Sequence, residues 1–431
     1  MAASPSNGRA AVLVDGCRIP FQRSGTGYTD LTAYDMGRMV LKGLLKRTDL
    51  EPDTIERVIM GCVIQDVETS NVAREAALAA GIPKQVPAFT VTMACISSNQ
   101  AVTSGVDLIR GGAKVVIAGG TETLSDPPIR VKRSVRKRLF KAQKAKSPAD
   151  YLKLLRGLSP ADIFPEAPSI AEYSTGEVMG ESADKLAAMF GVSRQEQDEY
   201  ALLTHKRAAK AQDDGRIERE LVPASVPPSF DPITQDNTVR GDSTMDKLSS
   251  LSPVFVKPFG TVTAGNSSPL TDGASATLLM SDDYAQAEGF TPRAYLRDYT
   301  YVAQDPGEEL LLGPAYAIPQ VLDAAGLSLG DIDVFELHEA FAGQVLAVLN
   351  ALKSRDFAEK SLNRSTPVGD IPMDKLNLRG GSVSLGHPFG ATGARLVTTA
   401  ANRLHEENGH WALVAACAAG GQGHALLVER A

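Results

Sequence analysis

An α/β fold made of two similar halves is predicted by three observations. Short apolar runs alternate with stretches of helical period between residues 11 and 118. The same order returns between Ile318 and Ala416. Two segments also match in plan, "CISSNQAVTSGVDLIRGGAKVVIAGGTE" and "HPFGATGARLVTTAANRLHEENGHWALVAACAAGG". Each runs from a reactive residue through a helix, a glycine turn and an apolar strand to Gly-Gly, as a duplicated α/β unit would. Two common β-α-β stretches can also look alike by chance. Here Cys95 and His387 hold equivalent places, each at the start of its helix.

Residues 11–14 are a short apolar run, read as a strand. Residues 31–46 set Leu31, Met36, Met39, Val40 and Leu44 on one side of a helix. Residues 57–63 predict a second strand, and 73–80 an alanine-rich helix ended by Gly81. Residues 96–110 predict a helix closed by Gly111 and Gly112, since glycine takes the left-handed conformation that ends helices. Residues 115–118 are wholly apolar, as in the middle of a covered sheet. In the tail, 318–325 is helical up to Gly326, 334–337 a strand, 394–405 a helix and 411–416 a strand. From Leu124 to Pro253 the composition changes. Basic residues crowd 130–146 and prolines follow at Pro160, Pro165, Pro223, Pro227 and Pro228. Helical patterns over 183–190 and 194–212 make this an inserted subdomain rather than a linker. The predicted units are therefore 1–123, completed by about 254–285, an insertion over 124–253, and 286–431.

A chain of 431 residues exceeds one ordinary core, since domains usually hold roughly 100–200 residues. A hydrophobic share of 43% beside 22% charged residues is that of a globular protein. The net charge of −7 argues against a general nucleic-acid binder. Cys17, Cys62, Cys95 and Cys417 are too scattered for a disulfide framework and form no C-x-x-C pair, so free thiols in a reducing compartment are expected. Residues 1–10 show neither an apolar signal core nor an Arg-rich amphipathic pattern, and a cytoplasmic location is the expectation.

Four motifs carry chemistry. Met93-Ala94-Cys95-Ile96 stands at a helix start, where the helix dipole is expected to lower the thiol's pKa. Taken alone, such a cysteine is more often buried filler. Gly386-His387-Pro388-Phe389-Gly390-Ala391-Thr392-Gly393 holds a histidine in a tight turn, where an imidazole can take a proton near neutral pH. Cys417-Ala418-Ala419-Gly420-Gly421 follows an apolar strand, a place for a thiol that meets substrate or for a core cysteine. His338-Glu339-Ala340-Phe341-Ala342 follows another strand but lacks the second histidine of a zinc-protease helix. Glu339 either orients a neighbour or satisfies a buried amide.

Together and in this order the motifs resemble the thiolase family. The resemblance runs from Arg18-Ile19-Pro20-Phe21 to Val428 and includes Met179-Gly180, Gly260-Thr261-Val262-Thr263-Ala264-Gly265-Asn266-Ser267-Ser268 and Thr271-Asp272-Gly273-Ala274. It implies a five-layered α/β/α/β/α fold of two halves, with a loop domain over the coenzyme A site. It implies Cys95 as acyl-accepting nucleophile, His387 as the base that activates it, and Cys417 as the acid/base at the acetyl α-carbon. Ser268 resembles a pantetheine contact and Met179 a residue lining the acyl channel. The backbone N–H groups of Cys95 and Ala419 resemble one oxyanion site; His387 and a group held by His338 resemble the other. No metal or resident cofactor is implied, since CoA is a substrate alongside acyl-CoA.

Two departures place the chain within the family. Most thiolases carry asparagine where His338 stands, and glycine where Ala419 stands. Histidine there and the long insertion resemble the fatty-acid-oxidation branch typified by the trifunctional-complex β subunit. Thiolytic cleavage of 3-ketoacyl-CoA is therefore expected, with biosynthetic acetoacetyl-CoA condensation and a silent CoA-binding scaffold as alternatives. A homodimer or higher oligomer and a hydratase–dehydrogenase partner are implied. The basic stretch from Arg130 to Arg156 is expected to meet that partner or an anionic membrane surface, or to draw in CoA phosphates.

Overall fold

The alternation read from the sequence is realised in the computed structural model, which describes residues 9–166 and 171–431. The expectation drawn from residues 1–10 falls outside that range except at Arg9 and Ala10. The first half runs β1 (Ala11–Arg18), α1 (Ala33–Thr48), β2 (Arg57–Gly61), α2 (Val72–Ala80), β3 (Ala88–Val91), α3 (Ser97–Arg110) and β4 (Val115–Glu122). The insertion carries α4 (Arg133–Ala142), α5 (Pro148–Leu155), α6 (Met179–Met189) and α7 (Arg194–Asp213). The strand β5 (Thr271–Ser281) completes the first half. The second half repeats the order as β6 (Ala294–Ala303), α8 (Gly313–Ala325), β7 (Val334–Leu337), α9 (Ala342–Lys353), α10 (Thr392–Glu406), β8 (Trp411–Ala418) and β9 (Gln422–Arg430).

Strand order shows the duplication. The first half reads β3-β2-β4-β5-β1 and the second β7-β8-β9-β6. In each half the early strands pair in parallel and the last two antiparallel. The second half replaces β3 with a single parallel bridge, Phe335 to Leu376. The two sheets touch edge to edge where Val12 pairs Tyr295 and Leu13 pairs Ala294. Helices α1 and α2 cover one outer face, α8 and α9 the other, and α3 packs against α10 between the sheets. That is a five-layered arrangement.

Local chemistry explains the element ends. Thr32 and Asp35 exchange hydrogen bonds in a capping box at the start of α1, and Lys46 and Arg47 meet the negative end of its dipole. Ser193 and Glu196 do the same for α7. Among the described residues the insertion has no core apart from the rest. Ala183, Leu186, Ala187 and Tyr200 of α6 and α7 are buried in one cluster with Leu337, Val345 and Leu413 of the second half. The short strands expected at 11–14 and 115–118 extend by four residues each. Strands β5, β6 and β9 were not read from the sequence. Strand β5 is buried along its whole length although it reads Thr-Asp-Gly-Ala-Ser-Ala-Thr at its start. Small residues suit a strand covered closely on both faces.

Candidate active site

The N-termini of α3 and α10 meet in the middle layer. Gly393 sits against Asn99, where a Cβ would come within 2.1 Å of the Asn99 side chain. The Ala394 N–H donates to Ser98 Oγ at 3.1 Å. Cys95 stands two residues before α3 and His387 five residues before α10, so the two do not occupy strictly equivalent helix starts as expected, yet this end-to-end packing brings their loops together. The loop from His387 to Gly390 then crosses the ends of β2 and β4. A Cβ on Gly390 would lie 2.7 Å from both the Gly61 and Thr121 carbonyl oxygens, so only glycine fits. The buried Glu122 carboxylate ties this crossing together, accepting from the N–H groups of Val63, Ile64 and Gly390. Burial raises its carboxyl to about 7, and those N–H groups pull the other way.

Cys95 lies two residues before α3, in a tight turn with Ala94 at φ 46°. The Ser97 hydroxyl braces that turn, donating to the Ala94 carbonyl at 2.7 Å and accepting from the Met93 N–H at 2.8 Å. The expected lowering of the thiol's pKa is overturned. Burial pushes the Cys95 thiol up to about 11. The N–H groups of Ala419 and of Cys95 itself pull it down less, and Glu122 adds to the rise. Both of those N–H groups favour a negative charge at Sγ, and they are the pair expected to form an oxyanion site.

The ligand atoms of Cys95, His338 and His387 all lie within 4.8 Å of one another. Such a neutral N, N, S set could also grip a soft cation. The histidine rings stand 4.1 Å apart, centre to centre. His387 Nδ1 meets Thr392 Oγ1 at 2.7 Å, and the His387 backbone N–H donates to Thr271 Oγ1 at 2.5 Å. His338 Nδ1 meets Ser382 Oγ at 3.0 Å. Both Nε2 atoms are buried without a partner among the described residues. Burial first, then His338 and Arg395, hold His387 well below the ordinary imidazole range. Burial and Arg395 hold His338 down to about 3. The expected titration of His387 near neutral pH is thus overturned; both rings are neutral there.

Cys417 is buried near the end of β8, close enough to Cys95 to feel its charge. Burial first, then Cys95, push its thiol well above the ordinary range. Ser268 lies on the stretch beside the His338 loop, its N–H donating to the Ala340 carbonyl at 3.0 Å. Met179 opens α6, partly buried against the second-half core, the cluster that also holds Cys417. Glu339 satisfies buried donors, accepting from Tyr200, Thr204, Asn377 and the Val383 N–H. It thereby fastens α7 to the catalytic loops. Ser382, Thr392, Arg395 and Glu122 belong to the site and were not read from the sequence. A hydroxyl five residues after His387 was a visible signal for Thr392; the others carry no motif of their own.

Comparison with known proteins gives the same picture. The family descriptions "Thiolase, N-terminal domain" and "Thiolase, C-terminal domain" match residues 11–283 and 290–430. The chain is 56% identical to the mouse protein "Trifunctional enzyme subunit beta, mitochondrial", covering 98% of this chain and 89% of that one. It is 54% identical to a Caenorhabditis elegans "Probable 3-ketoacyl-CoA thiolase", covering 97% and 93%. The crystal structure of human mitochondrial 3-ketoacyl-CoA thiolase superposes with a TM-score of 0.83 at 32% identity, covering 98% of this chain and 99% of that one.

Proposed function

The chain belongs to the thiolase family, and from that premise we propose that it cleaves 3-ketoacyl-CoA with CoA, giving acetyl-CoA and an acyl-CoA two carbons shorter, as in fatty-acid β-oxidation. The observation that carries the chemistry is a thiol, an imidazole and two N–H groups gathered at one largely enclosed point. His387 Nε2 takes the Cys95 proton, and the thiolate attacks the 3-keto carbon. The bond between Cα and Cβ breaks, its electrons pass to the acetyl-CoA enolate, and Cys417 protonates that α-carbon. The Cys417 thiolate then takes the proton of an incoming CoA thiol, which attacks the acyl group on Cys95. Cys95 leaves as thiolate and recovers its proton from His387. The Cys95 and Ala419 N–H groups hold the oxyanion of the tetrahedral intermediates. His338 and His387 face the enolate oxygen. Ser268 and Met179 are assigned to the pantetheine and acyl channel in this reading, and CoA enters as substrate with no resident cofactor.

The assay is loss of 3-ketoacyl-CoA absorbance on adding CoA, across a chain-length series. Turnover is expected, with Cys95→Ala inactive and Cys417→Ala unable to wash deuterium into acetyl-CoA. A folded protein that cleaves no member of the series would end the proposal. Condensation of two acetyl-CoA uses the same atoms in reverse; the names of the relatives favour cleavage.

Partners form part of the same proposal. The mouse relative is named as one subunit of a trifunctional enzyme, which supports a hydratase–dehydrogenase partner here. A second copy of the chain would cover the edge strand β3, whose Phe89 is exposed and whose outer side pairs with no strand among the described residues. The basic segment is a helical hairpin rather than one continuous helix. Arg138 donates to the carbonyls of Leu154 and Arg156 and so clips α4 to α5. Phe140, Tyr151 and Leu152 are exposed beside the cations, which supports contact with an anionic surface. No described helix is long and apolar enough to cross a membrane. A reducing compartment fits four free cysteines, with the cytoplasm as the proposed site; the mouse relative's name places that protein in mitochondria.

A further inference from the structure

The two imidazoles, tilted 43° to one another, are held by hydroxyls of opposite habit. Thr392 Oγ1 lies 3.0 Å from the Pro388 carbonyl oxygen, one turn back, and gives its single proton there. It must therefore accept at its contact with His387, so the proton of His387 is on Nδ1 and its Nε2 bears a lone pair. Ser382 differs. Its Oγ already accepts an N–H from Arg395 Nη2 at 3.2 Å, and among the described residues its other partner is His338 Nδ1 at 3.0 Å. Among the described residues no acceptor but that nitrogen meets the Ser382 proton. Donation to Nδ1 leaves the proton of His338 on Nε2.

We propose that Arg395 and Ser382 form a relay that fixes His338 as the Nε2–H tautomer, a neutral hydrogen-bond donor facing the site opposite the lone pair of His387. The relay has a rigid base. Arg395 is fully buried, with Glu336 Oε2 3.6 Å from its guanidinium. Glu336 is in turn held by Arg403 at 2.8 Å. The Val383 N–H, one residue beyond Ser382, is fixed by Glu339 at 3.1 Å. The charge of Arg395 also explains why a tautomer is needed: it disfavours a protonated His338, so the ring can donate from Nε2 only as a correctly oriented neutral species. Neither residue touches substrate in this account. Both are positioning residues, and their catalytic consequence rests on the thiolase reading, in which the His338 donor stabilises the enolate oxygen.

Proton location can be measured without turnover. The wild-type protein labelled with ¹⁵N at its six histidines is observed by NMR, the His338 signals being assigned by their loss in His338→Asn. The relay predicts a protonated Nε2 and a bare Nδ1 at His338, and the reverse at His387. A protonated Nδ1 at His338 overturns the proposal even if the protein is an active thiolase. The expected tautomers with no ketoacyl-CoA cleavage would instead sink the thiolase reading and leave the relay standing. Kinetics then separate positioning from structure. Loss of a full oxyanion donor lowers kcat about 10²–10³-fold, so Ser382→Ala, which only frees the tautomer, is expected to lose roughly tenfold in kcat with little change in KM. Ser382→Thr restores the hydroxyl and should recover most of that loss. In a His338→Asn background Ser382→Ala should add nothing. An equal loss in both backgrounds, or no rescue by threonine, would reduce Ser382 to a packing residue and overturn the relay.

Discussion

Cys95 shows how far environment outweighs a local rule. A helix start favours thiolate, and from the sequence that was the expectation. Desolvation at this half-buried site reverses it, raising the thiol to about 11 while the nearby imidazoles are held neutral. The resting pair is therefore thiol and imidazole rather than thiolate and imidazolium. A thiol with raised pKa gains thiolate as pH rises, so alkylation of Cys95 by iodoacetamide in the free protein should speed up about tenfold per pH unit from 7 to 9. A rate already flat above pH ~6 would mean a preformed ion pair. The nucleophile, the base and Cys417 were legible as residues because each sits in a short motif. Ser382, Thr392 and Arg395 were not, because what matters about them is which atom of a neighbour they bond. No spacing rule encodes that choice for residues as far apart as Ser382 and His338.

At the scale of elements, the helices and parallel strands were readable because one buried stripe or one apolar run marks each. Strand β7 and the end of α8 at Gly326 fell where periodicity set them. The antiparallel strands β5, β6 and β9 escaped for a physical reason. Strand β6 mixes tyrosines with charged residues on a partly exposed face, and β9 has only a short apolar run between polar ends. In β5 the faces pack so tightly that alanine, glycine, serine and threonine replace larger apolar residues at its start. The same tightness governs the His387 loop. Gly390→Ala would press a methyl against two carbonyl oxygens at 2.7 Å. The loop must then lift off β2 and β4, moving His387 away from Cys95. Overpacking of this kind costs about 1–3 kcal/mol, so the variant should melt several degrees lower and lose well over tenfold in kcat. An unchanged melting temperature with wild-type turnover would show that the crossing tolerates a side chain.

The whole molecule joins a duplication to an insertion. In the proposed mechanism the first half supplies Cys95 and the second His338, His387 and Cys417, and the insertion fastens itself to them through Glu339 and a shared core. The duplication was visible in sequence as two matching segments. The seam between the halves was not, since it rests on the packing of α3 against α10 and a two-residue strand contact. On the exterior, α4 and α5 stand apart from the shared core with no residue of α4 buried. If they meet an anionic surface, changing Arg133, Arg136, Lys137 and Lys141 to glutamate should abolish co-sedimentation with anionic vesicles and leave ketoacyl-CoA turnover in solution intact. A rise in the KM for CoA with unaltered sedimentation would assign these cations to phosphate steering. The central claim is that Cys95 carries the acyl group, and it is tested most directly by mass spectrometry of the protein quenched during cleavage of a 3-ketoacyl-CoA. The account predicts a single added acyl group, two carbons shorter than the substrate's, on the peptide containing Cys95. An adduct on Cys17, Cys62 or Cys417, or turnover with no adduct at any cysteine, would contradict it.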